Sequence, residues 1–174
     1  PASSLNHPAG VTRGNEIVTR LGTNGEICLF TSADAQLTVD VVGAVGSGTN
    51  LSMLEAPSRL LDTRPGESTV DGVAAGGGLV AAGATVEVPL VGRAGIFLNA
   101  ETVTLNVTAI GPASAGFVTV YDCDGLPLAS SLNYVPGVNG GNEIVASVND
   151  DGDICLFTSA ATHLAVDVTG FTSP

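Results

Sequence analysis

Short runs of alternating apolar and polar residues dominate the chain. In 102–110, Val103, Leu105 and Val107 alternate with Thr102, Thr104, Asn106 and Thr108. Leu37, Val39 and Val41 follow the same rule, as do Leu164, Val166 and Val168. A period of two places alternate side chains on opposite faces of a strand. The pattern predicts strands over 85–90, 96–98, 102–110, 116–121, 130–134, 143–148, 154–158 and 164–168. These runs are rich in β-branched residues and are separated by Gly, Asp, Asn and Pro. No segment carries a helical apolar stripe. Short strands with turn signals between them predict an all-β fold, a β-sandwich of jelly-roll type.

The pattern also occurs twice. Asn142-Glu143-Ile144-Val145, Gly152, Ile154 through Ala160, Leu164, Val166-Asp167-Val168 and Gly170 match Asn15-Glu16-Ile17-Val18, Gly25, Ile27 through Ala33, Leu37, Val39-Asp40-Val41 and Gly43 at a constant offset of 127 residues. Ala2-Ser3-Ser4-Leu5-Asn6 likewise matches Ala129 through Asn133. A period this long marks a repeated module rather than a solenoid turn. Residues 1–45 then form the C-terminal half of a first module, 46–55 a Gly/Ser-containing linker, and 56–174 a complete module. A fainter echo inside the module, Leu61 to Gly66 against Leu132 to Gly137, divides it into halves 56–111 and 112–171. Two such halves facing each other make a sandwich. Three related segments closing into a pseudo-threefold β-prism or trefoil-like body is the alternative.

Composition narrows the function. Aromatic residues are 4% of the 174 and Trp is absent, so the core is aliphatic. The formal charge of −12 argues against nucleic acid, whose phosphates require basic clusters. All five basic residues are Arg, which excludes Schiff-base and P-loop lysine chemistry. No stretch is long and apolar enough to read as a membrane span. The sequence opens on Pro1 without a Met, as expected of a processed or trimmed form.

Cys123 follows one strand and Cys155 lies within another strand of the same module, which predicts a disulfide in an exported protein. The alternative is three reduced, buried thiols. At the 127-residue offset the mate of Cys28 would fall before Pro1, so Cys28 is expected to be free or to pair between chains. The cysteine spacing does not suit zinc.

Asn149-Asp150-Asp151-Gly152-Asp153 has the acidic look of a calcium loop. Its counterpart Gly22 to Glu26 lacks most of those oxygens, and a hairpin turn accounts for both. No metal site is expected. Asp40, Asp167 and Asn106 occupy equivalent places in three similar strands, where Asp is disfavoured unless partnered. Arg59 and Arg64 are the natural partners. Together with Asp62 they predict either a polar staple or a cleft that meets sugar hydroxyls or a carboxylate.

No catalytic residue is expected. His7 corresponds to Tyr134 and His163 to Gln36, whereas a general base would be retained between working copies. Asn142-Glu143 reads as a structural pair at a strand start. Asn106-Val107-Thr108 fits the glycosylation pattern on a predicted strand, where it carries little weight.

Arg59 to Gly66, Leu105 to Ala109, Gly116 to Tyr121 and Ser131 to Tyr134 together resemble the tandem all-β modules of secreted and surface proteins of actinobacteria. The resemblance implies export and a non-catalytic accessory role, and it supplies no ligand or cofactor. The expectation is a secreted or cell-surface structural repeat protein that self-associates through exposed strand edges into a fibre, stalk or coat. A carbohydrate-binding or adhesion module on a glycan or cell-wall surface is the alternative.

Overall fold

The structure is a computed structural model that describes residues 9–10, 13–19, 21–39, 41, 44 and 50–174. Eight strands carry the fold: β1 (Asn50–Asp62), β2 (Thr85–Pro89), β3 (Thr102–Ile110), β4 (Gly116–Tyr121), β5 (Leu132–Tyr134), β6 (Gly140–Ser147), β7 (Asp153–Thr158) and β8 (His163–Ser173). They form two four-stranded antiparallel sheets, in the orders β1-β8-β3-β6 and β2-β7-β4-β5. The pairings nest: β1 with β8, β2 with β7, β3 with β6, β4 with β5. This is one long antiparallel hairpin rolled over on itself, the jelly roll.

Between the sheets lies an aliphatic core. Val103, Leu105, Val107 and Ala109 of β3 point inward, against Leu164, Val166 and Val168 of β8 and Ile154 and Leu156 of β7. The intervening residues Thr102, Asn106 and Thr108 face outward and are more accessible.

The sheets do not divide along the expected halves. β1, β2 and β3 come from 56–111 and its approach, β4 to β8 from 112–171, and each sheet mixes both. The halves interleave because every outer pairing joins early strands to late ones. The stretch read as a linker is also revised: β1 begins at Asn50, which pairs with Ser173. Residues 96–98, expected as a strand, are turn and coil around the buried Ile96. With two separate sheets, neither a prism nor a trefoil describes the molecule.

Residues 13–19 and 21–39 contain no strand. The topology gives the reason. Their counterparts are β6, β7 and β8; β7 sits between β2 and β4, and β8 sits between β1 and β3. Edge strand β6 needs β3 beside it, and the interior strands β7 and β8 need a partner on each side; without such neighbours a copy has no ladder to join. The local turn nevertheless persists. Gly22 N donates to Glu26 O and Gly25 N to Gly22 O, both at 2.9 Å. Asn149 N to Asp153 O and Gly152 N to Asn149 O, both at 3.0 Å, repeat the arrangement at the equivalent residues.

Candidate functional site

The outer face of the β1-β8-β3-β6 sheet carries a polar row. Arg59, Asp167, Asn106 and Glu143 stand opposite one another across the four strands. A β-bulge between Arg59 and Leu61 lets Leu60 and Leu61 both sink into the core while Asp62 returns to the row's face.

Asp62 is fully buried and is the hub. Its Oδ1 accepts from Arg64 N at 3.1 Å and Arg64 Nε at 3.0 Å, and its Oδ2 from Arg59 Nη1 and Arg64 Nη2, both at 2.7 Å. Arg59 Nε and Nη2 reach the two oxygens of Asp167 at 2.8 and 2.9 Å, a two-pronged grip. Burial pushes the Asp62 carboxyl up, but the hydrogen bonds from Arg64 and Arg59 outweigh it and hold the group below the usual carboxylate range. The hydrogen bond to Asp167 holds the Arg59 guanidinium well above its ordinary value.

Arg59, Asp62, Arg64 and Asp167 are therefore brought together. Asn106 lies next in the row, and its side chain makes no hydrogen bond to the cluster. Two arginines and two aspartates neutralise each other, with Glu67 Oε1 at 3.5 Å from Arg64 Nη1 at the rim. Chemically this arrangement closes a strand junction. Asp40 and His7, the copies of Asp167 and Tyr134, lie outside the described residues.

Cys123 and Cys155 form a disulfide, joining the chain just beyond β4 to β7; Cys28 is free and exposed. In the acidic loop, Asn149 Oδ1 accepts from Asp151 N and Asp153 N, so that side chain serves the turn itself. His163 Nδ1 lies 3.1 Å from Thr63 Oγ1, which accepts from Leu164 N. Asn142 donates to Ser131 O at 2.8 Å, tying β6 to the approach to β5.

The two copies also touch. Glu16 N donates to Asn142 Oδ1 at 3.1 Å, and Glu143 N donates to Asn15 Oδ1 at 3.4 Å. Equivalent residues thus exchange equivalent bonds at the open edge of β6. Burial pushes the Glu16 carboxyl up, and the charge of Glu143 adds to the shift.

Sequence reasoning missed Arg93. Its guanidinium is buried, bonded to Asp71 at 2.7 and 2.8 Å and to the carbonyls of Pro89, Leu60 and Val73. It pins the long loop after β1 onto the sandwich, and the Arg93 hydrogen bond holds the Asp71 carboxyl far below its ordinary value. The signal available was a lone arginine in Val91-Gly92-Arg93-Ala94-Gly95, which points to no partner 22 residues away. A cleft of about 390 Å³ runs along the Gly/Ala segment of that loop, lined by Leu61, Thr63, Leu79, Val80, Val86 and Glu87 among others. No helix among the described residues is long and apolar enough to cross a membrane. The chain matches no protein-family model and no curated protein sequence.

Proposed function

We propose that this protein is a non-enzymatic, extracellular structural β-repeat protein whose modules build or decorate a surface assembly such as a fibre, stalk or coat. One observation carries the reading. Side chains buried in the complete module stand exposed in the first copy: Ile144 is 3% exposed and Ile17 46%, Leu156 0% and Leu29 57%, Val168 0% and Val41 85%. A run of core-type side chains in solvent needs a covering surface, and a further module, in the same chain or another, supplies one. The disulfide fits an oxidising compartment. The Arg59–Asp62–Arg64–Asp167 cluster supports the non-catalytic part, since its charges are already spent on one another.

A carbohydrate-binding role would call for an exposed aromatic platform. Tyr134 is buried, with its hydroxyl 2.7 Å from Thr158 Oγ1 and 2.8 Å from Ala160 O, and the cleft beside the Gly/Ala loop has no aromatic lining.

Sedimentation across a concentration series tests the assembly reading. The wild-type chain is expected to associate, and Leu29→Asp with Val39→Asp to return it to monomer with its sheet spectrum intact. A wild-type chain that stays monomeric at every concentration overturns it.

A further inference from the structure

The first 46 residues hold more than a copy of the apolar pattern: they reproduce the demands that the front strands make on β6, β7 and β8. Tyr134 needs the hydroxyl of Thr158 and the carbonyl of Ala160, and Thr31 and Ala33 stand at those places. Arg59 needs Asp167, and Asp40 stands there. Cys123 needs Cys155, and Cys28 stands there.

Two glycines bear on the same point. A Cβ on Gly152 would run into Val91, and a Cβ on Gly170 would come 2.8 Å from Ser52 O. Both obstacles belong to the front strands or their loops. Gly25 and Gly43 hold the same places in the first copy. Gly25 has a positive φ of 74°, so its own turn calls for glycine; the match that bears on the front strands is Gly43, the counterpart of Gly170.

The connection fits as well. Asn50 opens β1 opposite Ser173 at the end of β8. Gly46 is the counterpart of Ser173, and only Ser47, Gly48 and Thr49 separate it from Asn50. Three residues are enough for a β-hairpin loop between antiparallel neighbours.

Resting on the reading of residues 1–45 as the tail half of a module, we propose that residues 13–46 are an alternative set of β6, β7 and β8 for this chain's own front strands. They replace residues 140–173 as a circular permutant of the same jelly roll, and place Cys28 against Cys123. Two differences favour the C-terminal set in the structure. Phe171 is buried against Phe97 at a centroid distance of 5.0 Å, and the first copy has Ala44 there. Thr162 donates to Ile110 O, and the first copy has Ala35 there. Exchange releases the displaced tail to the surface, where it is presented to other copies.

The test is disulfide mapping of the full chain carrying Cys155→Ser, equilibrated in a glutathione buffer. Glutathione disulfide is the oxidant: two protein thiols become one disulfide, and two glutathione thiols are released. The expected product is a Cys28–Cys123 link within monomeric chains. Its fraction should rise several-fold when Phe171→Ala is added, and also with Ala44→Phe, which keeps the test open should the Phe171 variant not fold. Leu29→Asp should abolish the link. A Cys123 left as thiol or glutathione adduct in all these variants overturns the proposal. So does a link that survives Leu29→Asp, which would be a chance collision of thiols, and so does one formed only between chains. Assembly of the wild-type chain is read separately by sedimentation, so the two readings fail independently.

Discussion

Arg59 of β1 grips Asp167 of β8 with parallel hydrogen bonds of 2.8 and 2.9 Å, and the same guanidinium reaches back to the buried Asp62 at 2.7 Å. The two aspartates share an arginine but differ in environment: Asp62 is inaccessible, whereas Asp167 is partly open. Removing one partner of a buried pair leaves a desolvated charge, whereas an open pair is screened. Asp62→Ala is expected to cost about 2–3 kcal/mol, discounted for the partly exposed arginines, and Asp167→Ala about 1 kcal/mol. Urea unfolding of both variants measures the difference, and equal costs would contradict it.

Acid should expose the same chemistry. Asp62 and Asp71 have folded-state values depressed below the unfolded ones by their arginines. A depressed acid contributes stability above its unfolded value, near 4, and that contribution is lost as pH falls through the folded value. Stability should therefore fall as pH drops below about 4. In Asp62→Asn combined with Asp71→Asn, the slope over that window should flatten. Melting temperature against pH for both proteins checks it.

Gly152 and Gly25 close equivalent turns with positive φ of 89° and 74°. At Gly152 a methyl group would also collide with Val91. Gly152→Ala is expected to cost roughly 2–5 kcal/mol from backbone strain and overpacking together. Val91→Ala should recover part of this in the double variant. Gly25→Ala should leave the thermal unfolding of the sandwich unchanged.

The Cys123–Cys155 bond closes a loop of sequence separation 32. Constraint of the unfolded chain by such a loop is worth about 3–4 kcal/mol. Reduction should lower the denaturant midpoint correspondingly, and Cys28→Ser should leave it unchanged. Urea unfolding with and without reductant reads both.

Where the pairing is expressed locally, the sequence was legible. β3 and β4 were readable to the residue because Val103, Leu105 and Val107, or Val118 and Val120, alternate cleanly with polar neighbours. β1 was not, because its inner end buries Leu60 and Leu61 side by side at a bulge, with Pro57 just before them. The interleaving of the sheets was hidden for a different reason: β1 finds β8 over a hundred residues away, and no local signal states that. Within the candidate cluster, Arg59, Asp62, Arg64 and Asp167 were legible because a charged residue in an apolar strand requires a partner. Asn106 shares their register and not their bonds, since an uncharged amide facing solvent has no such requirement. The alternation of Leu37, Val39 and Val41 predicted a strand where residues 34–39 form none, because an interior strand takes its form only between neighbours.

Negative-stain electron microscopy of the purified wild-type chain, beside Leu29→Asp with Val39→Asp, bears most directly on whether this is an assembly protein. Ordered fibres or particles in the wild type that vanish in the variant are the expected result. Discrete monomers in both samples would contradict the structural role, and glycan screening would then be the next experiment.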